Sequence, residues 1–202
     1  MSSYVAAVDA SIFVVLGESM FEFCVQHPSG IEKAAYAMQD TKIPHNPRRW
    51  NMTYNILALL PSLLPAAIAW AKSMTDPVIR NGSALTEQGL SVASAVGVAM
   101  PERIHIAMVD SLPMPQDETL RNVVCSTGLF GPDTVGLTLG YAILIAEGHA
   151  TRRLLTHEFR HVHQYEKAGS IEKFLLAYLA EIATFGYFDA PLEIDARDHE
   201  LH

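Results

Sequence analysis

Cysteine, tryptophan and positive charge are all scarce in this chain of 202 residues, and each shortage excludes something. The two cysteines, Cys24 and Cys125, stand far apart and provide neither a dense disulfide framework nor the paired C-x-x-C of a small zinc module. Reduced thiols in a cytoplasmic protein are the expectation. Fourteen Lys and Arg against twenty-two Asp and Glu leave a formal charge of −8, the wrong sign for a surface that tracks phosphates, so nucleic acid is not expected as a partner. The first twenty residues have no positive leader and place Asp9 before a short apolar run, Ile12 to Leu16, unlike a secretory signal. No internal repeat or low-complexity tract is visible. What the chain does have is apolar mass: 50% of its residues are hydrophobic and its mean hydropathy is +0.16, enough for one compact domain with a sizeable core. Within residues 1–202 we expect a helical N-terminal part, 1–80, packed on a core of 81–202.

The longest uncharged stretch runs from Asn51 to Ala71, with the apolar segment Ile56 to Ala71 bracketed by Trp50 and Trp70. Sixteen helical residues span about 24 Å, short of a hydrocarbon core of about 30 Å, and Pro61 and Pro65 interrupt the segment. A buried, kinked pair of helices is the main expectation, with a membrane span or re-entrant segment as the alternative.

Farther along, a helix is expected over Ser83 to Val98, with Ser83 or Thr86 as its cap and Gly97 near its end. Arg103 to Asp110 alternates as a strand does. From Val135 to Ala146 bulky residues alternate with mostly small ones, which reads as a strand or a bent strand pair after the turn Gly131-Pro132-Asp133-Thr134, with Asn122 to Ser126 as a pairing strand. Thr151 can cap a helix to Lys167, stopped by Gly169. Ser170 can cap another toward Phe185, ended by Gly186, and Pro191 opens a third through Ala196. The expected class is α+β, mainly helical, with a small sheet ahead of the C-terminal helices.

The chemistry is concentrated in Thr156 to Gln164, THEFRHVHQ, which contains His157-Glu158-Phe159-Arg160-His161, an H-E-x-x-H sequence on an expected helix. At about 100° per residue the two histidines lie about 40° apart and one turn apart, with Glu158 on the same polar side. Leu155, Phe159 and Val162 fall on another side, so the helix can bury an apolar stripe and still present two imidazoles and a carboxylate. Histidines at i and i+4 can converge on one zinc ion, which needs a third protein ligand and, in a catalytic site, keeps a position for water. Glu158 is suited to accept the proton of that water as general base.

With this motif the chain resembles the zincin metallopeptidases. The H-x-x-G-x-x-H continuation of the metzincin branch is absent, since Val162-His163-Gln164-Tyr165-Glu166-Lys167 follows His161. In the gluzincin branch the third ligand is a glutamate on a later helix, and Ala190-Pro191-Leu192-Glu193-Ile194-Asp195-Ala196-Arg197 is similar to that element. The resemblance, shared with small bacterial gluzincin-like proteins, covers roughly residues 103–197. It implies a zincin-like fold, a Zn2+ cofactor held by His157, His161 and Glu193, Glu158 as catalytic base, and a peptide or protein substrate paired along the strand region Thr138 to Ile145. It further implies an aspartate that orients a ligand histidine; Arg197 occupies one expected position, leaving Asp195 or Asp198.

The same residues have plainer readings. Glu193 can pair with Arg197 at i+4. His163, about 160° from His161, reads as packed or surface-lying. Tyr165 and Tyr187 are donors for an oxyanion or simple packing residues, and Arg152, Arg153 and Arg160 form a solvated face or pair with acids. Two functional alternatives stand beside the peptidase: a catalytically silent zinc-binding interaction module and a membrane-associated peptidase.

Overall fold

The computed structural model of the chain describes residues 56–131 and 133–202. The expectations for residues 1–55, including Cys24, Trp50 and the linkers His27 to Gly30 and Asp40 to Arg48, lie outside them. The described residues form a mixed α+β fold of helix, sheet and helices in the expected order.

Helix α1, Ile56–Asn81, is one continuous helix and not the pair expected from its prolines. Its buried residues, Leu60, Leu63, Ala67, Ala71 and Val78, recur at three-, four- and seven-residue steps and make a single stripe. Pro61 and Pro65 are exposed on the other side, where carbonyls that lose their helical partners face solvent. By length and composition α1 could cross a membrane, yet its stripe is spent on packing against the rest of the chain. Gly82 ends it: a Cβ there would lie 2.5 Å from the Val78 carbonyl oxygen and 3.0 Å from that of Ile106.

Ser83 therefore enters strand β1, Ser83–Ala84, and does not cap a helix. Thr86 is the cap of α2, Glu87–Ala95, its Oγ1 accepting from the Gly89 N–H at 3.1 Å. Strand β2, His105–Val109, follows. The expected strand at Asn122 to Ser126 is instead the end of helix α3, Glu118–Ser126. Asp117 caps it by accepting from the Leu120 N–H at 2.8 Å, and its buried Leu120, Val123 and Val124 follow helical spacing.

Strands β3, Gly136–Leu139, and β4, Ala142–Ala146, form a hairpin that turns at Gly140 with φ +69°. The sheet order is β1-β2-β4-β3, with β2 and β4 parallel and β3 antiparallel at the edge. The hairpin divides the bulky residues between two faces. Ile143 and Ile145 join Ile106 against α2 and the helix α4, Arg152–Ala168, whereas Leu139 and Leu144 join Ala107 against α1 and the helix α5, Ile171–Phe185. The register Gly136↔Ile145 and Thr138↔Ile143 consequently puts Gly136 and Thr138 on the α4 face. Helix α6, Pro191–Asp198, completes the fold.

The C-terminal helices keep their expected caps. Thr151 accepts from the Leu154 N–H at 3.2 Å, Ser170 accepts from the Lys173 N–H at 3.3 Å, and Gly169 takes the left-handed φ of 79° that closes α4. Ala190 has no capping side chain for α6, and Glu181 of α5 supplies one, accepting from the Leu192 N–H at 2.9 Å. That bond ties α6 to α5.

Phe159 is fully buried where α4 meets the sheet. Phe159→Ala should cost about 3–5 kcal/mol in denaturant unfolding; a loss below about 1 kcal/mol would mean that α4 does not depend on this contact.

Candidate metal centre

Burying Leu155, Phe159 and Val162 turns the polar side of α4 toward α6, and this orientation brings the histidine pair to Glu193. Glu193 is fully buried in the first turn of α6. The two Nε2 atoms of His157 and His161 are 3.1 Å apart; Glu193 Oε1 lies 3.2 Å from His161 Nε2, and Glu193 Oε2 lies 3.5 Å from His157 Nε2. Tetrahedral zinc with bonds of about 2.0–2.1 Å needs donor separations of about 3.3 Å; the two imidazole nitrogens lie near that spacing, and each has one Glu193 oxygen near it as well. Tyr178 donates to Glu193 Oε1 at 2.6 Å, while Oε2 is buried without a hydrogen-bond partner among the described residues. An ionised buried oxygen left in this state favours a cation beside it. Arg197 does not supply that cation as a close partner: its Nη1 stays 3.9 Å from Oε2, and its Nη2 donates to the Phe188 carbonyl.

The outer nitrogens fix which lone pairs face inward. Gln164 donates its amide hydrogens to the Leu192 carbonyl at 2.9 Å and to Asp195 Oδ2 at 2.7 Å, so its Oε1 must accept from His161 Nδ1 at 2.8 Å. Glu200 Oε1 accepts from His157 Nδ1 at 3.1 Å. With Nδ1 donating outward, each imidazole aims its Nε2 at the other ring and at Glu193, and a metal would find lone pairs there once the rings are neutral. Neither Asp195 nor Asp198, the two aspartates expected to orient a ligand histidine, touches one. Asp195 holds Gln164 and makes a two-point pair with Arg160, at 2.8 Å from both Nε and Nη2; Asp198 is exposed. Glu200 and Gln164 occupy that place. Glu200 is also paired with Arg153, and the tail is pinned by the Leu201 N–H donating to Thr156 Oγ1 at 2.9 Å.

Electrostatics follow from this crowding. Burial works to lower the pKa of His161, but the hydrogen bond and charge of Glu193, aided by Glu158, outweigh it and hold the imidazole up to about 9. Burial pushes Glu193 upward, and the two histidines with Tyr178 pull it well below the ordinary carboxylate range. Without a metal, a proton shared by this cluster neutralises the carboxylate.

Glu158 lies beside the cluster, buried, with its Oε2 accepting from Thr138 Oγ1 at 2.6 Å. Its Oε1 occupies the space over Gly136, where a Cβ would stand 2.8 Å from the Glu158 Cδ. A cleft of about 790 Å³, measured with its open mouth, is bordered by His157, Glu158, His161 and Glu193. Tyr165 lines it as well; its ring stacks on Phe174 at 3.7 Å between centroids and its buried hydroxyl has no partner among the described residues. Tyr187 borders the cleft near Glu193, and burial followed by that carboxylate raises its pKa. His163 stands apart, against the Gly97 carbonyl. The structure thus brings together His157, His161, Glu193 and Glu158. It adds Thr138, Gly136, Gln164 and Glu200, of which only Gln164, three residues past His161, had a local signal.

Two outcomes test the centre. Glu200→Ala should weaken metal binding about 10- to 100-fold in a chelator competition, with the fold retained by circular dichroism; unchanged affinity would remove Glu200 from the site. Metal binding needs neutral His161, so affinity should rise with pH up to about 9 and then level off. At pH 7, uptake should release about one proton, read by calorimetry in buffers of different ionisation heat.

Comparison of the chain with protein-family models, with curated proteins and with solved structures finds no match to any of them.

Proposed function

We propose that the protein is a zinc-dependent metallopeptidase with a zincin-like, gluzincin-type centre: His157, His161 and Glu193 hold Zn2+, Glu158 is the general base, and the substrate is a peptide or protein. The observation that carries this reading is the convergence of two Nε2 atoms and a buried carboxylate within the reach of one metal ion, with a second carboxylate alongside in one cleft. A mixed set of two imidazoles and one carboxylate suits zinc, which when bound would supply Lewis acidity toward water and a carbonyl.

The remaining work falls to side chains. Thr138 donates to Glu158 Oε2 and so fixes the carboxylate plane, leaving Oε1 over Gly136 to take a proton from water and return it to the departing amine. Tyr178 and Gln164 keep Glu193 and His161 oriented while substrate enters. Strand β3 is an edge of the sheet beside Glu158, so an extended peptide can pair with it; β4 is internal, which removes Ala142 to Ile145 from the expected region Thr138 to Ile145 and shifts the pairing to β3, Gly136–Leu139.

Glu158→Gln should keep zinc and lower peptide hydrolysis by about 10²–10⁴-fold; undiminished hydrolysis would overturn the base assignment. Glu193→Ala should lower zinc content more than Asp195→Ala, and the reverse order would move the third ligand. Zinc with no cleavage across a broad peptide library would favour the silent binding module. The outer face of α1 exposes Leu57, Pro61, Pro65 and Ala69, which supports membrane association as a second reading; release of all protein by a carbonate wash would rule out a span.

A further inference from the structure

The cleft continues past the metal cluster into a space that the proposed reaction does not itself require. Its far wall is built from Ala67 and Trp70 of α1, Leu120 of α3, Phe130, Leu137 of β3 and Leu179 of α5. Trp70 and Phe130 meet edge to face, with centroids 5.9 Å apart and planes at 75°, so two large rings stiffen that wall. Among the described residues, the only Asp, Glu, Lys or Arg side chains on the cleft are Glu158 and Glu193, both at the metal end and both held by hydrogen bonds.

Resting on the peptidase reading, we infer that the substrate carries a bulky apolar side chain, aromatic or branched aliphatic, next to the bond that is cut, and that this side chain fills the recess between α1, α3 and α5. A charged side chain entering there would lose its hydration and find no counter-ion on the far wall. A small one would leave apolar surface wet. A bulky apolar group removes that surface from water while the same cleft keeps the neighbouring carbonyl at the metal end. The recess is thus a specificity element. Its width depends on a small residue, Ala67, facing it from α1.

The test uses the full-length, zinc-loaded protein and hydroxamates, which anchor on zinc without needing turnover. Calorimetry compares acetohydroxamate with hydroxamates bearing an isobutyl, a benzyl or a carboxyethyl group. The isobutyl or benzyl compound should bind about tenfold or more tighter than acetohydroxamate, and the carboxyethyl compound should gain nothing. Ala67→Phe should bring the ratio of bulky to small close to one; if that variant does not fold, the ranking on the unaltered protein decides. Equal affinities, or tighter binding of the carboxyethyl compound, would overturn the inference. A peptide library cleaved without a bulky apolar residue beside the cut would overturn it and leave the peptidase reading standing. The expected ranking in a protein that cleaves no peptide would overturn the peptidase reading and the place beside a scissile bond, and would leave the recess as a site for a bulky apolar group. Failure to take up zinc at all would overturn both.

Discussion

Two imidazole lone pairs and a buried carboxylate aimed at one small volume repel each other unless something positive lies among them, and the C-terminal half of the molecule is arranged around that requirement. Helix α4 provides the imidazoles and α6 the carboxylate, so the charge needed at their junction also joins the two helices. Proton and metal compete for the same role there. Gln164 and Glu200 stop the imidazoles from turning away, and the ring they form with Asp195 and Arg160 reaches three segments: the start of α6, the C-terminal tail, and the loop after α2 through the bond from Arg160 to the Val96 carbonyl. The centre is therefore a crossing point of the fold and not an appendage to it.

The sheet contributes by what its edge strand lacks. Had position 136 carried a side chain, the Glu158 carboxylate would have been displaced, and without the Thr138 hydroxyl it would have turned freely. Backbone pairing sets both residues on the α4 face, so the register of one hairpin decides the placement of the Glu158 carboxylate. A single-residue slip would have put Leu137 against Glu158.

Much of the centre was legible because its signals are local. The spacing of His157, Glu158 and His161, the apolar stripe beside them, the caps Thr151 and Ser170, the stops Gly169 and Gly186, and Pro191 opening α6 all act within a few residues. Glu193 came from resemblance to known metallopeptidases, and burial distinguishes it from a surface partner of Arg197. What the sequence hid depends on long-range packing. Glu200 reaches His157 only because the tail folds back along α4, and Thr138 reaches Glu158 only because of hairpin register. The expected strand at Asn122 to Ser126 failed because Asp117 caps a helix there. Alternation across Val135 to Ala146 looked like one bulky face, since a strand pattern does not reveal that Gly140 reverses it. Pro61 and Pro65 argued for a break in α1, yet both face outward, where their lost bonds matter least.

Helix α1 covers one face of the sheet with Ala71 and Val78 and, with Ala67 and Trp70, walls the cleft. A replacement that reshapes the recess therefore also disturbs the roof over the strands, so the form of the cleft and the stability of the sheet draw on the same three turns of helix. Change in the outline of the cleft is then bound to proceed by paired exchanges, one residue on α1 with one on α3 or α5, and rarely by lone steps.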